Sequence, residues 1–109
     1  MPSAARWPRW AGPVALALLV AACGSQRDGL ADAQAAVERR DTAAALVHVR
    51  RALQQAPDSA AARHLLGRLL LERGDAAGAA IELRKSLELG HDPAGVLPGL
   101  ADALVRQRE

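Results

Sequence analysis

Apolar residues recur along most of the chain at three- and four-residue intervals, with polar residues on the positions between. Leu30, Ala33 and Val37 keep this spacing, as do Leu46, Val49 and Leu53, and such a period gathers an apolar stripe on one face of an α-helix. Asp41 and Asp75 stand where amino-terminal caps belong, and Pro57-Asp58 and Gly90-His91-Asp92-Pro93 break the chain between units. The pattern predicts helices near 28–40, 42–55, 59–73, 76–89 and 94–107. The last is expected to bury Val96, Leu97, Leu100 and Leu104 on one stripe, and it has no following helix as a partner.

The amino-terminal residues follow a different pattern. Met1–Trp10 carry Arg6 and Arg9 with no acid, and Ala11–Ala22 are uncharged and mostly aliphatic, which is the layout of an export signal. Only 13 residues separate Arg9 from Cys23, fewer than the roughly 20 that span a bilayer as a helix. Trp7 and Pro8 separate the two arginines, so the twin-arginine signal is missing and export as an unfolded chain is expected. The run ends Val20-Ala21-Ala22-Cys23-Gly24, which resembles a bacterial lipobox. That resemblance implies a lipoprotein signal peptide over 1–22, a lipid on the thiol of Cys23, and a lipidated linker over 23–28. Two or more acyl chains make such anchoring stable where one is marginal. Gly24 in place of an aspartate implies the periplasmic face of the outer membrane of a Gram-negative bacterium.

Behind the linker the chain matches itself at an offset of 34. Asp41 pairs with Asp75, Ala45 with Ala79, Arg50 with Arg84, Leu53 with Leu87, Asp58 with Asp92, Ala60 with Ala94, Leu66 with Leu100 and Leu70 with Leu104. This is the period of the tetratricopeptide repeat, a helix-turn-helix unit that buries its apolar faces on its neighbours. With Ala60 as first position, Leu66, Gly67 and Leu70 on one helix and Ala79, Leu83 and Ser86 on the next fall on that family's large and small signature positions. Gly67 is expected to pack against the second helix of its own repeat. Departures stand at the signature tryptophan position, which holds Gly29, Arg63 and Leu97, and at Asp32 in a leucine position of an atypical first repeat. The expected fold is all-α: tetratricopeptide helical hairpins, an α-solenoid fragment, over 29–109, with repeats near 26–59 and 60–93 and a partial one over 94–109.

The lipobox, the short linker and the stretch from ELRKSLELGHDP through VLPGLADAL resemble the amino-terminal part of the TPR-repeat lipoprotein family of PEP-CTERM/exosortase systems, the PrsT family. Members are longer arrays, so the resemblance implies a fragment. It implies a lipid-anchored scaffold for protein–protein interaction in exopolysaccharide production or protein sorting. Two alternatives stay open: a tetratricopeptide lipoprotein of another envelope assembly, such as a pilus or secretion pilotin, and a thiol enzyme using Cys23.

Composition narrows the chemistry. Apolar residues make up 50% of the chain but aromatic ones only 2%, with no Tyr or Phe, so alanine and leucine supply the core and base-stacking platforms lack their parts. Arg6 and Arg9 are the only basic residues before Cys23, all 12 acids follow it, and the remaining 12 basic residues balance them. A nucleic-acid surface is not expected. His48, His64 and His91 have no metal-ligand spacing and no second cysteine to join them. Ser3, Ser25, Ser59 and Ser86 lack a nucleophile elbow, and there is no phosphate loop. No catalytic residue, metal or cofactor is expected. His91 is read as serving a helix end, and the pairs Arg39-Arg40, Arg50-Arg51 and Arg84-Lys85 as solvated faces with nearby acids. Projecting the repeat places Gln34, Glu38, His64, Arg68, Glu72, Asp102 and Arg106 on a concave groove. Their mixed signs suit a protein or peptide ligand. Two repeats and one unpaired helix fall short of the three or so repeats usual for independent stability, so self-association through the uncovered last helix is a further expectation.

Overall fold

A computed structural model of the chain describes residues 29–109. The expected signal peptide over 1–22, the lipidation site Cys23 and the linker as far as Asp28 lie outside the described residues. Within them the chain forms α1 over 29–38, α2 over Thr42–Gln55, α3 over Ala60–Glu72, α4 over Ala76–Glu88 and α5 over Pro93–Arg108, with no strand among the described residues. The all-α, helical-hairpin architecture expected from the spacing of apolar positions is the one adopted.

Local chemistry punctuates the helices. Asp41, Ser59, Asp75 and Asp92 cap the starts of α2, α3, α4 and α5, each side-chain oxygen accepting a backbone N–H of the first turn, as in Gly78 N to Asp75 Oδ1 at 2.9 Å. These bonds satisfy donors that have no partner inside the helix. Helix ends are equally regular. After α1, Asp41 N–H donates to Ala36 O and Arg40 N–H to Val37 O, both at 2.9 Å. After α3, Asp75 bonds Leu70 and Gly74 bonds Leu71 in the same way, and after α4, His91 bonds Ser86 and Gly90 bonds Leu87. All three are Schellman closures, which put the penultimate residue in the left-handed region. Gly74 and Gly90 reach it at φ 83° and 95°, whereas Arg40 is held there at φ 58°. Asp41 and Asp75 each close one helix and cap the next, so only residues 39–41 and 73–75 separate the helices of the two hairpins.

The hairpins α1–α2 and α3–α4 stack, and α5 packs on α4 and along α3. One core lies between α1, α2 and α3, built from Leu46, Val49, Leu53, Leu65, Leu66, Leu69 and small residues such as Ala33, Ala36, Ala45 and Ala62. The second, between α3, α4 and α5, is thinner: Ala79, Ala80 and Ala103 are covered by the half-buried Leu70, Leu71 and Leu100. Close approach substitutes for bulk. Gly67 on α3 faces Leu83 on α4 so tightly that a Cβ at Gly67 would lie 2.7 Å from Leu83 Cγ, as expected from the register. The departures at the tryptophan position have physical substitutes: Gly29 sits against Ala52, where a Cβ would come within 3.3 Å of Ala52 Cβ. Arg63 bonds Pro57 O at 3.1 Å and pairs with Glu82 at 2.8 Å.

The expected burial of α5 needs correction. Val96 and Ala103 are fully buried and Leu100 half-buried, a stripe facing α4, but Leu97 is 51% and Leu104 37% exposed. Leu97 and Leu104 lie on the side of α5 that meets no helix among the described residues. A three-and-four pattern specifies an apolar face but not which part of a wide face its neighbour covers.

The turn geometry generates a prediction of opposite signs. Arg40→Gly should stabilise the protein by about 0.5–1 kcal/mol, because relief of the left-handed penalty outweighs the added entropy of the unfolded chain. Gly74→Ala should cost about 1 kcal/mol for the converse reason. Urea unfolding of the two variants checks both.

Candidate functional site

The odd-numbered helices α1, α3 and α5 present polar residues at matching intervals. Gln34, Arg68 and Asp102 are 34 residues apart, as are Glu38, Glu72 and Arg106, so each trio repeats one position of the helical unit. The structure brings all seven projected groove residues into two adjoining clefts. Between α1 and α3 lies a cleft of about 340 Å³ bordered by Gln34, Glu38, His64 and Arg68, with Val37, Leu65 and His91. Between α3 and α5 lies a larger one of about 510 Å³, bordered by His64, Arg68, Glu72, Asp102 and Arg106, with Leu71, Leu83, Gly95, Pro98 and Gly99. His64 and Arg68 border both.

Charges in the larger cleft are unequally engaged. Arg106 is bound twice by Asp102, Nε to Oδ1 at 2.9 Å and Nη2 to Oδ2 at 3.0 Å, and its Nη1 reaches Leu71 O at 3.3 Å. Together with the bond from Gln107 Nε2 to Ala76 O at 3.2 Å, this ties the end of α5 to the α3–α4 turn. Arg68 and Glu72 make no ion pair among the described residues. Among the described residues the groove therefore keeps one cation, Arg68, and two anions, Glu72 and Glu38, outside any ion pair and available to a ligand, beside leucine, proline and glycine.

His64 joins α3 to the start of α5. Its Nε2–H donates to Gly95 O at 3.0 Å, and its ring stacks on His91 with centroids 4.4 Å apart and planes inclined by 25°. Burial holds its pKa below the ordinary 6.5; the Gly95 bond opposes that shift, while the His91 and Arg68 charges add to it. His91 serves a helix end through its backbone N–H, as expected, but its ring is used for this stack. The sequence reading missed the contributions of Gly95, Pro98 and Gly99. Their signal is two glycines at i and i+4 around a helix-interior proline, which strips one helical face of side chains.

Among the described residues no group of three His, Cys, Asp or Glu side chains gathers as a metal site would require, and no helix is long and apolar enough to cross a membrane.

The tetratricopeptide-repeat family model matches residues 36–103, which run from the last turn of α1 into α5. No curated protein matches the chain.

The depressed pKa of His64 has a defined consequence. The unfolded chain binds this proton more readily than the folded one, so the contribution of a neutral His64 is complete above pH 6.5 and is lost as pH falls through the lowered folded value. The melting temperature should therefore drop on acidification from pH 7.5 to 5, and the drop should shrink in His64→Gln. An NMR titration should place the His64 midpoint below 6.5; a midpoint above it would contradict the burial argument.

Proposed function

The chain belongs to the tetratricopeptide-repeat family, and on that premise we propose that it is a lipid-anchored scaffold holding a protein or peptide partner in the α1–α3–α5 groove. Repeats of this kind are protein-interaction modules and typically carry no catalysis. The observation that carries the proposal is the polar ladder on the concave side, Gln34-Arg68-Asp102 beside Glu38-Glu72-Arg106, with Arg68 and Glu72 unpaired among the described residues. Mixed charge of this sort selects a complementary polypeptide rather than a polyanion.

The anchor rests on the lipobox ending at Cys23. On this reading the scaffold sits at the periplasmic face of the outer membrane, which Gly24 after the cysteine supports, in a PEP-CTERM/exosortase-linked system for exopolysaccharide production or protein sorting, which the resemblance of ELRKSLELGHDP through VLPGLADAL supports. The partner then meets the groove at a membrane surface, where tethering raises its local concentration. A second copy is a further partner, through the uncovered apolar side of α5 that carries Leu97 and Leu104.

Two experiments test this reading. A photo-crosslinking amino acid at Arg68 or Glu38, in cells of a Gram-negative host that carries the PEP-CTERM system, should give a discrete protein adduct, whereas the same probe at Arg84 on the outer face of α4 should not. Adducts from Arg84 alone would refute the groove. For the anchor, Cys23→Ser should release the protein from membranes or block processing while leaving the melting temperature of the repeats unchanged. Normal cleavage with full membrane retention would refute lipidation.

A further inference from the structure

Register across the repeat explains why the larger cleft exists. Gly99 on α5 stands 34 residues after Leu65 on α3, and the two positions have opposite contents. Leu65 is buried in the first core, in one cluster with Val49 of α2. Leu83 of α4 is the counterpart of Val49 by the same offset, but across from it Gly99 offers no side chain. A Cβ built at Gly99 would touch Leu83 Cδ1 at 3.5 Å, an ordinary van der Waals contact. A first side-chain carbon therefore fits at Gly99, and where α3 presents Leu65 to the first core, α5 lines the cleft between α3 and α5 with Gly95, Pro98 and Gly99.

We infer that this opening is a socket for a leucine-sized aliphatic side chain of an extended peptide, with a carboxylate next to that side chain paired to Arg68. The inference rests on the groove reading above and specifies its ligand. Apolar complementarity comes from Leu71, which is half-buried, and from Pro98 and Gly99 beside it; Leu71 gains contact atoms it lacks in the empty cleft, while Leu83 lies fully buried behind Gly99. Charge complementarity comes from Arg68, the guanidinium on the wall that no acid engages among the described residues. Glu72, one turn further along α3, and Glu38 across the adjoining cleft both disfavour a second acid beside the one at Arg68. Volume agrees: about 510 Å³ accommodates several peptide atoms beyond the anchor and lies within the range of ordinary ligand sites.

The test uses the full chain in phosphatidylcholine nanodiscs and fluorescence anisotropy with labelled hexapeptides, Gly-Ser-Glu-Leu-Ser-Gly against versions carrying Ala for Leu or Gln for Glu. The leucine peptide should bind at least about tenfold more tightly than the alanine one. Arg68→Gln should erase the preference for Glu over Gln. Gly99→Leu should abolish binding while the melting temperature holds or rises, since it restores the side chain that α3 carries at the equivalent position. Equal binding of the leucine and alanine peptides, or binding unaffected by Gly99→Leu, overturns the socket. If that binding is instead lost in Gln34→Ala with Glu38→Ala, the groove reading survives without the socket. No binding of any peptide, together with no adduct from Arg68 or Glu38, overturns both.

Discussion

Leu83 lies between two glycines, and the arrangement of α3, α4 and α5 depends on that. Its side chain is fully buried; on one side Gly67 of α3 leaves no room even for a Cβ, with 2.7 Å to Leu83 Cγ, and on the other Gly99 of α5 leaves room for one at 3.5 Å from Cδ1. The tight side joins α3 and α4 into one hairpin. The loose side borders the cleft, which Gly99 and Pro98 line in front of the same leucine. One residue thus takes part in both the packing of the repeat and the shape of its groove, and the difference lies in how much each glycine leaves unfilled.

Around this contact the chain economises on apolar bulk. The core between α3, α4 and α5 has Leu83 and Val96 as its large fully buried side chains and otherwise alanine with half-buried leucines, so area burial alone contributes less there than in the first core, where Leu46, Val49, Leu53, Leu65, Leu66 and Leu69 are buried. Directed interactions make up part of the difference. Arg63 reaches from α3 to Glu82 on α4, Arg106 and Gln107 tie α5 to the carbonyls of Leu71 and Ala76, and His64 bonds Gly95 at the other end of α5. Most of these groups are exposed, and individually they are worth little. Their effect is positional: they fix α5 at both ends, and so fix the width of the cleft.

Much of the fold was legible because it is local. The caps at Asp41 and Asp75, the chain breaks after α2 and α4, and the closeness at Gly67 follow from residue type and the offset of 34. What was not legible depends on which neighbour covers which part of a helix. Leu97 and Leu104 belong to the apolar pattern of α5 yet face away from α4, because Val96, Leu100 and Ala103 already occupy that contact. The stack of His91 on His64 joins residues 27 apart on different elements, beyond the reach of any periodicity. The seven groove residues could be projected from the repeat, but the cleft beside them comes from residues notable for lacking side chains or an N–H, Gly95, Pro98 and Gly99. A vacancy leaves no hydrophobic signal. It shows only when Gly99 is set against Leu65, its counterpart in the repeat.

The most direct measurement of this account is the free energy of unfolding of Gly67→Ala. In an exposed helix the change would stabilise by up to about 1 kcal/mol, since alanine is the better helix former. If Gly67 is the close-approach point that seats Leu83, the added methyl instead overpacks the contact, and the protein should lose about 1–3 kcal/mol. Any gain in stability would show that α3 and α4 do not meet at Leu83 as described, and the cleft built on that leucine would fall with it.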